Sequence, residues 1–362
     1  MKILYLTSNG GIHDYRFLYK LAKDYQVLLL HYSARELIGE IKNIKGLEII
    51  SKKPLVKTRP FWTEKKHFKN IYNKFKPDIV HTGYVWQVGI LASHLDVHPH
   101  LSMPWGSDIL FEPDNSSSIK EKVRRVMLQC DHVQCDAQFV KQKIVHDYGL
   151  PASKITIFPW GIDLNLFQPS DKQESRQKTK MDNKFTIIFN RNLEPVYGIK
   201  YLLEGYKDFA KDKNDVLLLI ISDGSLKKDV HKFIRNNNLE DKITLIGRVS
   251  NKVLPVYLNA SDIYISTSLS DGSSLSLLEA LACGKGIIVS DVPAIQEWVT
   301  EQNGLVINRK DSAAVSIALN TYYNQRDLIE KHGQKNILLA HEKADWDKNY
   351  LELKKIYQQL AT

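Results

Sequence analysis

One pattern, written twice, constrains this chain more than anything else in it. Short apolar runs rich in β-formers alternate with longer amphipathic stretches, first over residues 2–158 and again from 185 onward. The first set reads KILYLT (2–7), YQVLLLHY (25–32), LEII (47–50), DIVH (78–81), HLSM (100–103), HVQC (132–135) and KITIF (154–158). The second reads FTIIFN (185–190), VLLLIIS (216–222), KITLIG (242–247), IYIST (263–267), GIIVS (286–290) and GLVI (304–307). Strands that are buried on both faces lose the apolar–polar alternation, and their regular exchange with helices predicts parallel sheets covered by helices. The expected fold is therefore α/β: two Rossmann-like domains, each a mostly parallel sheet flanked by helices. A polar stretch at 170–184 reads as the join, which gives domains of 1–167 and 168–345. A final amphipathic helix at 346–362 is expected to cross back to the first domain.

Composition narrows the class. At 43% hydrophobic and 25% charged the chain reads as globular, and no apolar run reaches the roughly 18–20 residues of a membrane span. The opening MKILYLTSNGG reads as a strand rather than a leader. Three cysteines give no disulfide framework, so a reducing cytoplasm is expected. Cys130, His132 and Cys135 lack a fourth partner and make a poor zinc pattern. No metal or other cofactor is expected. The net charge is +9, and residues 41–76 hold 11 Lys and Arg against 2 acidic residues. Within 59–77, Phe61, Phe68, Tyr72 and Phe75 fall on one helical face among lysines. That face reads either as a core stripe with a solvated back or as a peripheral contact with anionic lipid. No nucleic-acid motif accompanies the charge.

The chemistry concentrates in SDIYISTSLSDGSSLSLLEALACGKGIIVSD, residues 261–291. A helix that starts near Ser274 aims free backbone N–H groups at its N-terminus, a site suited to a pyrophosphate. Asp271 precedes that helix and Glu279 lies on it. The two carboxylates read either as hydroxyl acceptors for a sugar ligand or as a turn cap and a solvated helix residue. Gly10 and Gly11 follow the first strand without the G-x-G-x-x-G of a dinucleotide fold, which weakens a dehydrogenase reading.

This segment resembles the E-x7-E signature of the retaining glycosyltransferases of the GT-B fold (family 4, or group 1), with Asp271 at the first Glu and Glu279, Ala280 and Gly284 in register. Three more stretches resemble the family in order and spacing: ITIFPWGIDLNLFQP (155–169), LLLIISDGSLKKDV (217–230) and ITLIGRVSNKVLPVYLNASDIYISTS (243–268). The resemblance implies two facing domains with a cleft, the acceptor on the first and a nucleotide-sugar donor on the second. It places Glu279 at the donor ribose and Asp271 at a hydroxyl of the transferred sugar. It puts the backbone of Gly272, Ser273, Ser274, Leu275 and Ser276 at the phosphates, and that of Gly247, Arg248 and Val249 at the base. Arg191 is implied as the phosphate ligand, while Gly10 and Gly11 allow the backbone to approach the donor.

Two departures stand out. The family's Lys after the first strand of the second domain is Tyr197 here, which donates a hydrogen bond but carries no charge; Lys200 lies a turn further on. In PWGSDIL (104–110), Trp105 replaces the family's His, leaving a ring that either stacks on a sugar or fills space, and Asp108 reads equally as a cleft residue or a helix cap. His13 and Asp14 are expected on the acceptor side. The implied activity is retaining transfer of a sugar from a nucleotide-sugar, UDP before GDP, to a hydroxyl of a glycan or lipid-linked acceptor in bacterial surface-polysaccharide or glycoconjugate synthesis. The expected location is the cytoplasm or the inner face of the membrane. A catalytically weakened paralogue serving as a binding subunit, and a nucleotide-sugar epimerase, are the competing expectations.

Overall fold

The computed structural model describes residues 1–52 and 61–361, without the side chains of 61–63. It divides into two compact units, Met1–Phe158 with Leu351–Thr362, and Pro159–Tyr350.

Among the described residues, the first unit builds a parallel sheet from β1 (Lys2–Thr7), β2 (Gln26–Tyr32), β3 (Leu47–Lys52), β4 (Ile79–Gly83), β5 (His100–Met103), β6 (His132–Cys135) and β7 (Ile155–Ile157), in the order β3-β2-β1-β4-β5-β6-β7. The five residues of β1 after Lys2 are buried, as a continuous apolar run in a covered sheet requires. The order reverses between β1 and β4, where Tyr5 pairs with His81. Burial holds the His81 imidazole neutral, with its pKa down to about 3. Its Nδ1 lies 2.6 Å from the Tyr357 hydroxyl of the final helix, Trp346–Leu360.

The helix Phe61–Phe75 settles what its aromatic stripe does. Phe68, Ile71 and Phe75 are buried in one cluster with Leu4, Leu28 and Val80, and Tyr72 packs against it. Lys66, Lys69, Lys74 and Lys76 are exposed. Phe68, Tyr72 and Phe75 of the stripe therefore pack in the core, and the lysines are exposed; the Phe61 side chain lies outside the described residues. Residues 59 and 60 of the expected patch lie outside the described residues.

In the second unit, β8 (Phe185–Phe189), β9 (Val216–Ile220), β10 (Ile243–Leu245), β11 (Ile263–Ser266), β12 (Gly286–Ser290) and β13 (Leu305–Ile307) run parallel in the order β10-β9-β8-β11-β12-β13. The reversal falls between β8 and β11, so the loops that leave their carboxyl ends diverge and open a crevice, the usual ligand position in such sheets.

The polar stretch at 170–184 is not a linker. It holds the helix Lys172–Thr179, and Arg176 on that helix bonds Ala260 O, Lys184 O and the Asp262 carboxylate at 3.1, 2.7 and 3.2 Å. The division between units falls after Phe158 rather than at 167, because Ile162 N donates to Ala344 O at 2.7 Å and fastens 159–167 to the second unit.

Candidate functional site

Arg191 leaves the end of β8 and Asp271 stands in the loop after β11, one on each side of the reversal. The guanidinium fork closes on that loop. Its Nη2 bonds Asp271 Oδ2 at 2.6 Å, and its Nη1 donates to Ser274 Oγ at 2.5 Å and Ser276 Oγ at 2.9 Å. Ser274 immediately precedes the helix Leu275–Ala282, and its Oγ lies 3.1 Å from that of Ser276. The Tyr264 hydroxyl, on β11, reaches Ser276 Oγ at 3.0 Å. Behind the guanidinium the Tyr197 ring stacks with its centre 4.2 Å from Arg191 Cζ. Arg191 and Asp271 are 11% and 15% exposed, so water screens this pair little. Burial is the largest single influence and draws the Arg191 pKa down, but Asp271, Tyr197 and Tyr264 together outweigh it and the net shift is upward. The side chain is a fixed cation, and its Nε is buried without a hydrogen-bond partner.

The helix that begins here adds its own unpaired first-turn N–H groups. Glu279 lies on it, 6% exposed. Ser273, also in the loop, takes a hydrogen bond from Trp298 Nε1 at 3.2 Å. A permanent positive charge, a helix start and a ring of hydroxyls at a sheet crevice together suit a phosphorylated ligand.

The structure thus brings Arg191, Tyr197, Asp271, Gly272, Ser273, Ser274, Leu275, Ser276 and Glu279 to one loop and helix start. Asp271 is engaged by Arg191 through Oδ2. Lys200 does not join the cluster: it is exposed, with its ammonium 4.8 Å from the Tyr201 ring centre. Further along the crevice, Gly247 adopts φ +87° with nothing within 4 Å of the position a Cβ would take, so its backbone borders open space. Arg248 is exposed and reaches Asn192 Oδ1 at 3.4 Å, and Val249 is half-buried beside it.

In the first unit Gly10 turns the chain at φ +68°, where a Cβ would come within 2.5 Å of Leu37. Gly11 begins the helix Ile12–Asp24. Both acidic residues expected on the acceptor side point inward. Asp14 is fully buried and accepts from Gly10 N at 2.7 Å and from the Tyr5 and Thr7 hydroxyls at 3.1 Å each. Burial pushes its pKa up to about 7 against those bonds. Asp108 is equally buried, accepts from Val85 N at 2.9 Å and Trp105 N at 2.8 Å, and is raised by burial to about 7. Each ties loops together. His13 and Trp105 are half-buried with their rings edge to face, 5.2 Å between centres. Cys130 and Cys135 are buried, and His132 Nε2 bonds Thr156 Oγ1 at 2.8 Å.

Sequence reasoning missed Tyr264, whose hydroxyl faces the helix start from β11. It also missed Glu194, which clamps the neighbouring turn through Ser225 N and Ser225 Oγ at 3.0 and 2.5 Å. The only signal for Glu194 was its place three residues after Arg191.

A family described as glycosyl transferases group 1 matches residues 171–360, and one described as glycosyl transferase 4-like matches 2–135. An uncharacterized glycosyltransferase of Methanocaldococcus jannaschii is 26% identical over 62% of this chain and 56% of its own. The α-monoglucosyldiacylglycerol synthase of Streptococcus pneumoniae is 24% identical over 64% of this chain and 56% of its own. The chain therefore spans just over half the length of each of these two relatives. The crystal structure of Anabaena HepE in complex with UDP superposes over 99% of this chain and 100% of that one, with a TM-score of 0.82 at 18% identity. At that identity the likeness is one of fold.

Proposed function

The chain belongs to the group 1 glycosyltransferases of the GT-B fold, and from that membership we propose that it moves a sugar from a UDP-sugar to a hydroxyl of a glycan or lipid-linked acceptor, with retention of configuration. The observation that carries the reading is the Arg191 guanidinium, held buried and charged against the start of the helix Leu275–Ala282. In the proposed step the acceptor oxygen bonds the anomeric carbon on the face from which the nucleotide departs. The bond from that carbon to the phosphate oxygen breaks, and its electron pair leaves with the nucleoside diphosphate. The acceptor proton passes to a phosphate oxygen of the leaving group. Arg191 and the helix N–H groups stabilise the charge that grows there, so no metal is assigned to the step. Glu279 is assigned to the donor ribose.

The test is nucleotide release from UDP-, GDP-, ADP- and dTDP-sugars with mixed acceptors, with Glu279→Ala beside the parent chain. Release from one donor is expected, and Glu279→Ala should lower its kcat/KM by about 10–100-fold, the value of a charge-assisted hydrogen bond. No nucleotide binding by the parent chain sinks the reading. A second reading, a non-catalytic binding subunit, is favoured by Tyr197 in the family's Lys position and by the engagement of Arg191 with Asp271. It predicts nucleotide binding without turnover for every donor and acceptor tried.

The acceptor is proposed as lipid-linked in part because one relative's name is that of a diacylglycerol-glycoside synthase. Among the described residues no helix is long and apolar enough to cross a membrane. Exposed Lys66, Lys69 and Lys74 supply the proposed contact with anionic lipid. Sedimentation with phosphatidylglycerol vesicles should carry the protein down, and should fail after all three are changed to Glu. Equal binding to neutral phosphatidylcholine vesicles, or none to either, removes the contact.

A further inference from the structure

The first unit holds a second constellation that the donor site does not use. Gly83 ends β4, and the next residue, Tyr84, has φ +78° and ψ +106°. A bulky aromatic residue rarely adopts positive φ, and such outliers persist where the surroundings impose them, commonly at ligand sites. A π-helical turn, Val85–Gly89, follows at once, another feature that is frequent at functional sites. The buried Asp108 carboxylate braces this turn through Val85 N and, through Trp105 N, the loop after β5. Both loops leave the carboxyl ends of neighbouring parallel strands.

What the bracing assembles is a cage around Glu112. The Tyr84 hydroxyl donates to Glu112 Oε1 and Trp86 Nε1 donates to Oε2. Ser107 Oγ lies 3.4 Å from Oε1 and 3.1 Å from the Tyr84 hydroxyl. The Tyr84 and Trp86 rings stand at 65° with centres 6.2 Å apart. All four side chains are half-buried rather than sealed in the core. An ionised carboxylate has about four acceptor positions, so the three donors orient Glu112 and leave it able to accept another hydroxyl. Two aromatic rings beside an oriented carboxylate suit a neutral sugar: its C–H face packs on a ring and its hydroxyls donate to the carboxylate. Lys122 Nζ, 5.4 Å from the centre of the Trp86 ring, weighs against a cationic ligand.

We propose that Tyr84, Trp86, Ser107 and Glu112 form a recognition site for a neutral polyhydroxylated ring, which sets the acceptor specificity of this chain. The role as acceptor rests on the transferase reading; the binding itself does not. Saturation-transfer NMR on the full chain with methyl glucosides, galactosides, mannosides, N-acetylglucosaminides and myo-inositol tests it directly. At least one of these probes should bind, and Glu112→Gln and Trp86→Phe should each weaken it about tenfold, one charge-assisted hydrogen bond. Glu121→Gln, an exposed change on the next helix, should leave the affinity as it was, and circular dichroism should show all three variants folded. No binding of any probe to the parent chain, or equal binding by the Glu112 and Trp86 variants, overturns the proposal. Nucleotide-sugar turnover measured on the same samples separates the two readings. Loss of nucleotide turnover with Glu112-dependent sugar binding retained removes the transferase reading alone. Nucleotide turnover with sugar binding indifferent to Glu112 and Trp86 removes this one alone.

Discussion

Arg191→Ala is expected to lower nucleotide release by roughly 10²–10³-fold, the usual loss when one preorganised donor to a developing anion is removed. The guanidinium is held by three side chains before any ligand arrives, so little reorganisation remains for the moment when charge grows on the leaving group. Arg191→Lys should recover only part of the rate, because a single ammonium lacks the planar fork that bonds Asp271 through one nitrogen and Ser274 and Ser276 through the other. The alanine variant also strands the buried Asp271 carboxylate, and breaking such a pair costs about 3–5 kcal/mol. Arg191→Ala with Asp271→Asn should restore most of the melting temperature and none of the turnover. If the double variant turns over like the parent chain, Arg191 is a structural anchor and nothing more.

Gly198→Ala is expected to be the most destabilising single methyl in the second unit. Gly198 sits at φ +64° directly before the helix Ile199–Ala210, and an added Cβ would lie 2.1 Å from Thr267 O, a backbone atom. That oxygen cannot easily give way, because Thr267 Oγ1 bonds Tyr197 O and Gly198 O at 3.2 and 3.1 Å and Leu269 N bonds Val196 O at 2.8 Å. Left-handed strain and overpacking each cost about 1–3 kcal/mol, and at about 2–4 °C per kcal/mol the melting point should fall by roughly 10 °C. Gly247→Ala is the matched comparison: φ is +87° but the space is open, so only the conformational cost applies. Equal melting points for the two variants would show that the Thr267 contact does not limit the fold.

Much of this was legible in the sequence. Each expected strand is present, because a continuous apolar run bounded by polar helices has few other solutions in water. The helix start near Ser274 is legible in the pattern itself, while the roles of Arg191, Asp271, Ser274 and Ser276 come from the resemblance to the family's motifs. What was not legible shares a cause. Asp14 and Asp108 each lie on the helix that follows a strand, and each turns inward. Side-chain direction there depends on the loop conformation, with Gly10 at φ +68° and Gly106 at φ +107°, and no periodicity encodes it. Tyr264 looks like an ordinary strand aromatic until its hydroxyl meets Ser276, 12 residues away in sequence. Glu112 belongs to no motif, and only the turn at Tyr84 brings its partners to it. The stretch at 170–184 looked like a join because it is polar; its helix is held by Arg176, whose partners lie as far off as Asp262.

The segment Leu351–Thr362 belongs to the unit that begins at Met1. Leu353, Ile356 and Tyr357 are at most 2% exposed, and Lys354 pairs with Asp24 at 3.0 Å. On a ribosome these residues emerge only after the whole of Pro159–Tyr350. The half that is synthesised first is therefore the last to be finished. Until then it carries apolar positions that nothing yet covers, and His81 waits for a hydroxyl encoded 276 residues downstream. Order of synthesis and order of completion run in opposite directions along this chain.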